Sequence, residues 1–461
     1  MRNLFLLFIS LFICSILAAQ NNWQHGRIQV SANKHYLQYQ DGTPFFWMGD
    51  TGWELFHRLK LEEINRYLTN RASKGFTLIQ AVILAEFDGL RKPNKYGDVP
   101  FVNMDPLQPN EQYFKLVDTV VKLAQARGLV MGLLQTWGDK VLKMWGEGPI
   151  VFNVENAYGY GLFLGQRYQS YPNIIWILGG DRPAITDSID TRPVWRSMAK
   201  GIKEGSGGKA LFSYHISGGP NTTSKQIHTE DWLDINMMQS GHGSGHDVPV
   251  WNWIASDRAL QPAKPTLDSE PNYEDHPVNP WPKWDSANGY FNDYDVRKQT
   301  YRSVFAGACG VTYGHHSIWQ FYNTREEKVN HAKMFWTAAL DRPGAVQMGY
   351  LKKLVLSRPS LQRIPDQSII TLGQGDKGNY MTAFRDSLGR YLMVYIPVGK
   401  TVGIKTGFIQ NKIINANWFN PKNGTTKKIG LLARKETMQF TPPTAGVNND
   451  WVLVVDDPSF K

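Results

Sequence analysis

The stretch NIIWILGGDRP, residues 173–183, decides how this chain is read. Ile174, Ile175, Trp176, Ile177 and Leu178 run without a polar break and then stop at Gly179, Gly180 and Asp181. An apolar run of that length reads as a strand buried on both faces, the habit of parallel sheets covered by helices. The design returns in KPTLDSEPNYE, residues 264–274, where a short run delivers Glu270 and then Pro271, which cannot donate to a ladder. Two buried strands that each end on a carboxylate pose a chemical question as well as an architectural one.

Working outward, strand-like runs fall at 45–49, 77–85, 129–135, 173–178, 210–215, 233–238, 265–268 and 310–313. Amphipathic stretches lie between them. LEEINRYLTNRASKG and YFKLVDTVVKLAQARG carry apolar residues at helical spacing and stop at Gly75 and Gly128, as helix C-termini do. The link ISGGPNTTSKQIHTEDW has no good helical pattern, so one crossover is degenerate. Eight such units predict an α/β fold, a (β/α)8 TIM barrel. An open doubly wound sheet needs no eighth strand, and no glycine-rich phosphate loop opens a helix here. Before the barrel, RIQVSANKHYLQYQDGTPF reads as a hairpin with an Asp41-Gly42 turn, placed to cover the barrel floor. After residue 357 short strands recur about every ten residues with turn chemistry between them. They predict a C-terminal all-β sandwich domain over 358–461, docked on a barrel domain over 20–357.

The chain has 461 residues, room for two domains. Its opening, MRNLFLLFISLFICSILAAQ, has a basic start, an apolar centre and small residues at Ala18-Ala19. It reads as a signal peptide over 1–19, with a periplasmic or secreted mature protein that carries no membrane span. Cys14 falls within that segment, so Cys309 is the one cysteine of the mature chain and no disulfide framework is expected. Its small apolar neighbours predict an inert core thiol. The net charge of +10 is spread without a dense basic block, which argues against nucleic acid and leaves an acidic polysaccharide as the expected polyanion. The 16 Trp suit flat sugar faces.

In such barrels the chemistry sits at the C-terminal ends of the strands. Asp181 follows strand four and Glu270 ends strand seven. Two rim carboxylates, one to donate a proton and one to attack, are what glycoside hydrolysis needs. Asp268, two residues before Glu270, shares its strand face and is expected to support it by hydrogen bonds. Further rim positions are expected to bind substrate: Asp50 and Trp53 from strand one, Gln80 from strand two, Trp137 from strand three and His215 from strand five. Gln239 and His242 follow strand six, and Trp319 follows strand eight. Glu86, Gln135, His315 and His316 fall at strand ends too. His242 and His246 lie four apart, but Gly241, Gly243 and Gly245 disfavour the helix a metal pair would need, and there is no HExxH. No metal or other cofactor is expected. The G-x-S-x-G elbow of serine hydrolases is absent.

DGTPFFWMGDTGWELFHRL, NKYGDVPF, IIWILGGDRP, DINMMQSGH, LDSEPNYE and YGHHSIWQF, in this order, resemble the apiosidase-like glycoside hydrolases, glycoside hydrolase family 140. The likeness runs from about Gly26 to Val355, and the remainder resembles the collagen-binding-type β-sandwich that often follows this barrel. The resemblance implies a retaining mechanism, with the Asp of Gly-Gly-Asp, here Asp181, as acid/base and Glu270 as nucleophile. Many related barrel glycosidases have Asn-Glu after strand four; here Gly180-Asp181 stands there, and the shorter side chain must approach the glycosidic oxygen more closely. The implied substrate is the apiose–galacturonic acid linkage in side chains of the pectin rhamnogalacturonan II. Two alternatives stand beside it: a β-glucanase-like enzyme on another plant glycan, and a non-catalytic carbohydrate- or collagen-binding protein on the same scaffold.

Overall fold

The structure is a computed structural model that describes residues 22–219 and 221–459. The predicted signal peptide lies outside the described residues. No helix among the described residues is long and apolar enough to cross a membrane.

Eight parallel strands follow the expected order: Trp47–Thr51, Leu78–Val82, Val130–Leu134, Ile174–Leu178, Phe212–Tyr214, Asn236–Met238, Thr266–Asp268 and Gly310–Tyr313. Strand eight pairs with strand one through four Cα partners from Gly310↔Trp47 to Tyr313↔Asp50, and the sheet runs 5-4-3-2-1-8-7-6. A single parallel bridge, Ser213↔Ile235, closes the ring between strands five and six. This is the crossover whose sequence lacks a helical pattern, and it holds only the four-residue helix Ser224–Ile227.

Alternation along each strand separates two cores. Trp47, Leu78, Val82, Val130, Leu134, Ile175, Ile177 and Leu267 fill the barrel interior. Met48, Ile79, Ala81, Met131, Leu133 and Trp176 face the surrounding helices. Glycines follow the helices Leu61–Ser73 and Glu111–Gln125 as expected: Gly75 and Gly128 have φ of 86° and 70°, a conformation only glycine adopts without strain. The predicted hairpin is a three-stranded antiparallel sheet, Ile28–Val30, Leu37–Tyr39 and Pro44–Phe45. Its Tyr36, Leu37, Tyr39 and Phe45 join the barrel-interior cluster, so it plugs the N-terminal end.

The C-terminal region is a sandwich of a six-stranded and a three-stranded antiparallel sheet. Two of its strands, Arg363–Pro365 and Val402–Lys405, are weakly marked in the sequence. The former lies beside Pro359 and the latter is interrupted by Gly403, so neither shows a clean run. One face of the larger sheet packs on the smaller one. The other packs on the barrel helix Asp293–Phe305, whose residues 294–305 are all buried. Tyr301 stacks on Tyr395 at 4.9 Å and Phe305 meets Phe384 edge-on at 4.6 Å. Each such pair is worth about 0.5–1.5 kcal/mol beyond its buried area. Arg297 of that helix forms a buried ion pair with Asp450, 2.9 Å.

Candidate active site

The turn after strand four shows why the sequence needs two glycines before Asp181. Gly179, Gly180 and Asp181 all have positive φ, 93°, 74° and 59°. A Cβ on Gly179 would lie 2.4 Å from the carbonyl oxygen of His215, and one on Gly180 would lie 2.7 Å from the amide nitrogen of Gly138. The chain reverses tightly, and the Asp, one of the few side chains tolerated in this region, is aimed over the barrel mouth. Its backbone N–H donates to His215 Nδ1 at 3.2 Å.

That bond fixes the imidazole so that Nε2 carries the hydrogen, and His215 Nε2 lies 3.0 Å from Glu270 Oε2. The contact is close but out of line, since neither atom completes a hydrogen bond of good geometry. His242 repeats the device: its Nδ1 accepts from the Tyr273 amide at 3.3 Å, and its Nε2 lies 3.3 Å from Glu270 Oε1. Each oxygen of Glu270 therefore faces one imidazole N–H. Burial pushes the Glu270 carboxyl up, but the two imidazoles more than offset this and hold it at about 2. Asp181 goes the other way. Burial and then the charge of Glu270 raise it to about 6, against the pull of His215, Arg182 and the Trp145 indole, which donates to Oδ2 at 2.7 Å.

Both carboxyl groups line a cleft of about 790 Å³ at the C-terminal rim of the barrel. Of the residues expected to bind substrate, Trp53, Trp137, Gln239, His242 and Trp319 line it too. His215 sits just beneath, wedged between Trp53 and Trp137 with ring centroids at 5.2 and 6.0 Å. Asp50 and Gln80 are not at the surface of the cleft. Strand one ends two residues later than the sequence suggested, which puts Trp47 inward and Asp50 outward, where Arg71 and Tyr67 bind its carboxylate at 2.5 and 2.6 Å. Gln80 faces inward but one layer down; it donates to the Ser269 carbonyl at 3.2 Å and so steadies the residue before Glu270. Asp268 does not bond the Glu270 carboxylate. It accepts from Ser240 Oγ at 2.5 Å and from the Glu270 amide, and burial raises it to about 7. His242 and His246 diverge, the latter to Asp295 at 2.9 Å. Cys309 is buried and its thiol is pushed up to about 12 by that burial.

Several cleft residues were not among those expected to bind substrate. Glu86, noted at a strand end, brings a third carboxyl, raised to about 8 by burial and then by Asp181, Glu54 and Asp139. Tyr273 sits three residues after Glu270; burial and then the charge of Glu270 push its phenol well above the ordinary value, so it stays a neutral donor. Trp145 and Trp281, 43% and 65% exposed, come from loops and flank the entrance. Only the aromatic content of those loops could have pointed to them. Gln239 Oε1, Trp137 Nε1 and the Tyr273 hydroxyl are buried without a hydrogen-bond partner, which a bound hydroxyl-rich molecule would supply.

The family model described as "Apiosidase-like, catalytic domain" matches residues 31–362. The chain belongs to the apiosidase-like family. A second model, described as "Putative collagen-binding domain of a collagenase", matches residues 364–456. A solved structure named "Glycoside hydrolase" is 33% identical with a TM-score of 0.85, covering 95% of this chain and 98% of that one. A glycoside hydrolase family 5 structure from Bacteroides vulgatus ATCC 8482 is also 33% identical, with a TM-score of 0.85, covering 95% of this chain and 94% of that one. Another glycoside hydrolase structure from the same organism, 14% identical with a TM-score of 0.69, shares the fold. No curated protein matches. This apiosidase-like chain is a glycoside hydrolase on a TIM barrel with an attached β-sandwich.

Proposed function

We propose that this apiosidase-like enzyme hydrolyses its glycosidic bond with retention, Glu270 attacking the anomeric carbon and Asp181 protonating the leaving oxygen. The observation that carries this reading is the opposed environments of two carboxyls in one cleft, Glu270 at about 2 and Asp181 at about 6. Between those values one is an anion and the other a proton donor, the division that retaining hydrolysis requires. In the second step Asp181 takes a proton from water, which attacks the glycosyl-enzyme. Retention also calls for carboxyl groups about 5–5.5 Å apart. Trp53, Trp137, Gln239, His242 and Trp319 would hold the sugar, with His215 acting through Glu270.

The substrate in this reading is the apiose–galacturonic acid linkage of rhamnogalacturonan II side chains, met by a protein exported to the periplasm or beyond. One observation favours a second reading, a glycan with a neutral leaving side. Among the described residues the cleft lining holds three carboxyl-bearing side chains and no lysine or arginine. Hydrolysis of a panel of pectic and neutral plant oligosaccharides separates the two. For the mechanism, Asp181→Ala should form the glycosyl-enzyme from a substrate with an activated leaving group and then hydrolyse it slowly, with added azide restoring turnover and retaining configuration. A fluorinated mechanism-based inhibitor should label Glu270. A label on another residue would remove Glu270 from its role.

A further inference from the structure

At the end of the barrel opposite the cleft lies a second pocket of about 620 Å³. Three parts of the chain build it: the N-terminal sheet, the helix end at Arg258, and the first strand of the sandwich with Arg363. Arg363 is 3% exposed, and its guanidinium lies over the Tyr36 ring at 3.8 Å, with Arg258 also over that ring at 5.4 Å. Among the described residues neither arginine has a carboxylate within 4.0 Å, and no acidic residue lines the pocket. Arg363 donates to the carbonyls of Ser360 and Ala308 at 2.9 and 2.6 Å, and Arg258 to that of Gly307 at 2.9 Å. Those bonds leave Arg363 Nε buried and unpaired, and His35 Nδ1 likewise. Two cations held together in a partly desolvated pocket repel each other, and an anion between them relieves both that repulsion and the unmet donor.

We propose that this pocket binds a carboxylate-bearing sugar, a uronate unit of an acidic glycan, on the Arg258–Arg363 pair. A planar guanidinium fork matches a carboxylate better than an ammonium does. The volume suits sugar rings, whereas a lone inorganic anion would leave most of it empty. Gln38, Gln362 and Ser387 line it and, among the described residues, their side chains form no hydrogen bond within the chain, so they are free for hydroxyl groups. Leu361, Ile364 and Tyr36 offer the apolar surface a ring stacks on. The site lies away from the cleft, so it would tether the enzyme to an acidic polymer rather than choose the bond that is cut.

The test is calorimetric titration of the full-length Glu270→Gln protein, which cannot turn over, with trigalacturonate, a neutral trisaccharide and inorganic phosphate. Trigalacturonate should bind, and Arg258→Gln added to that background should weaken it roughly tenfold or more, the worth of a charge-assisted contact. Ser387→Glu, at an exposed position on the pocket wall, should weaken it too by supplying a competing carboxylate without removing either arginine. Neither change, made in the otherwise native enzyme, should alter glycosidase turnover of a small soluble substrate, which reads the cleft separately. Equal trigalacturonate affinity with and without these changes would overturn the proposal. So would a neutral trisaccharide whose binding falls as far in both variants, or phosphate that displaces trigalacturonate at equal concentration, which would mark a free-anion site.

Discussion

Trp145→Phe isolates one hydrogen bond to Asp181, the carboxyl proposed as the proton donor. The indole N–H donates to Asp181 Oδ2 at 2.7 Å, while Arg182 packs on the ring at 4.2 Å, a contact phenylalanine retains. A donor to a carboxylate favours its charged form, so this bond lowers the Asp181 pKa beneath what burial alone would set. A hydrogen bond to a charged group contributes about 1.5–3 kcal/mol. Trp145 is 43% exposed, so screening reduces that to about 1 kcal/mol. At 1.36 kcal/mol per unit, the Asp181 pKa should rise by about 0.7. The alkaline limb of kcat/KM reports the acid in the free enzyme, so it should start near 6 and move up, while Glu270 at about 2 stays ionised across the range assayed. The assay is kcat/KM from pH 4 to 9 on a substrate with a poor leaving group, which needs the proton. A limb that stays in place or moves down would refute the reasoning. The same measurement with an activated leaving group should show no shift.

Asp450→Ala leaves the buried Arg297 guanidinium without its main partner and should cost about 3–5 kcal/mol, seen as a lower Tm. Removing residues 359–461 altogether uncovers the apolar face of the helix Asp293–Phe305 and should leave an insoluble or much less stable barrel; an equally stable, soluble truncation would make the sandwich an independent module. Gly180→Ala adds a Cβ 2.7 Å from the Gly138 amide at a φ of 74°, and should cut kcat far more than it raises KM because it moves Asp181. Glu86→Gln mimics a carboxyl held protonated up to about 8, so activity at pH 5–6 should survive it within a few-fold, whereas Glu86→Lys should shift the alkaline limb down by placing a cation near Asp181.

The barrel was legible because strands buried on both faces must be apolar throughout, and strands four and seven advertise themselves in that way. That Asp181 and Glu270 meet in one cleft was legible for the same reason, since each stands at the C-terminal end of such a run. Asp50 was misplaced because strand one runs on to Thr51 instead of stopping at Gly49, so Asp50 lies inside it and alternation from the inward Trp47 points it outward. Asp268, the neighbour in sequence, supports Glu270 only through the Glu270 backbone amide, whereas the carboxylate is faced by His215 and His242, which follow strands five and six. Only the closure of the barrel brings those three together. Trp145, Trp281 and Glu86 belong to loops whose paths depend on contacts far along the chain, so local pattern says little of where their side chains point.

The ring of strands is not equally strong all the way round. Strands five and six are three residues each, and one bridge joins them where other neighbours share three or more partners, apart from strands seven and eight. Their amides, with those of the equally thin seam between strands seven and eight, should be the first in the barrel to exchange with deuterium, since a seam with so few ladder bonds opens at low cost. The wall of the cleft that carries Gly218, Gly219, Gln239 and His242, with His215 just beneath it, springs from strands five and six. Each excursion of the seam between them should therefore loosen the grip on Glu270 and widen the mouth of the cleft at once.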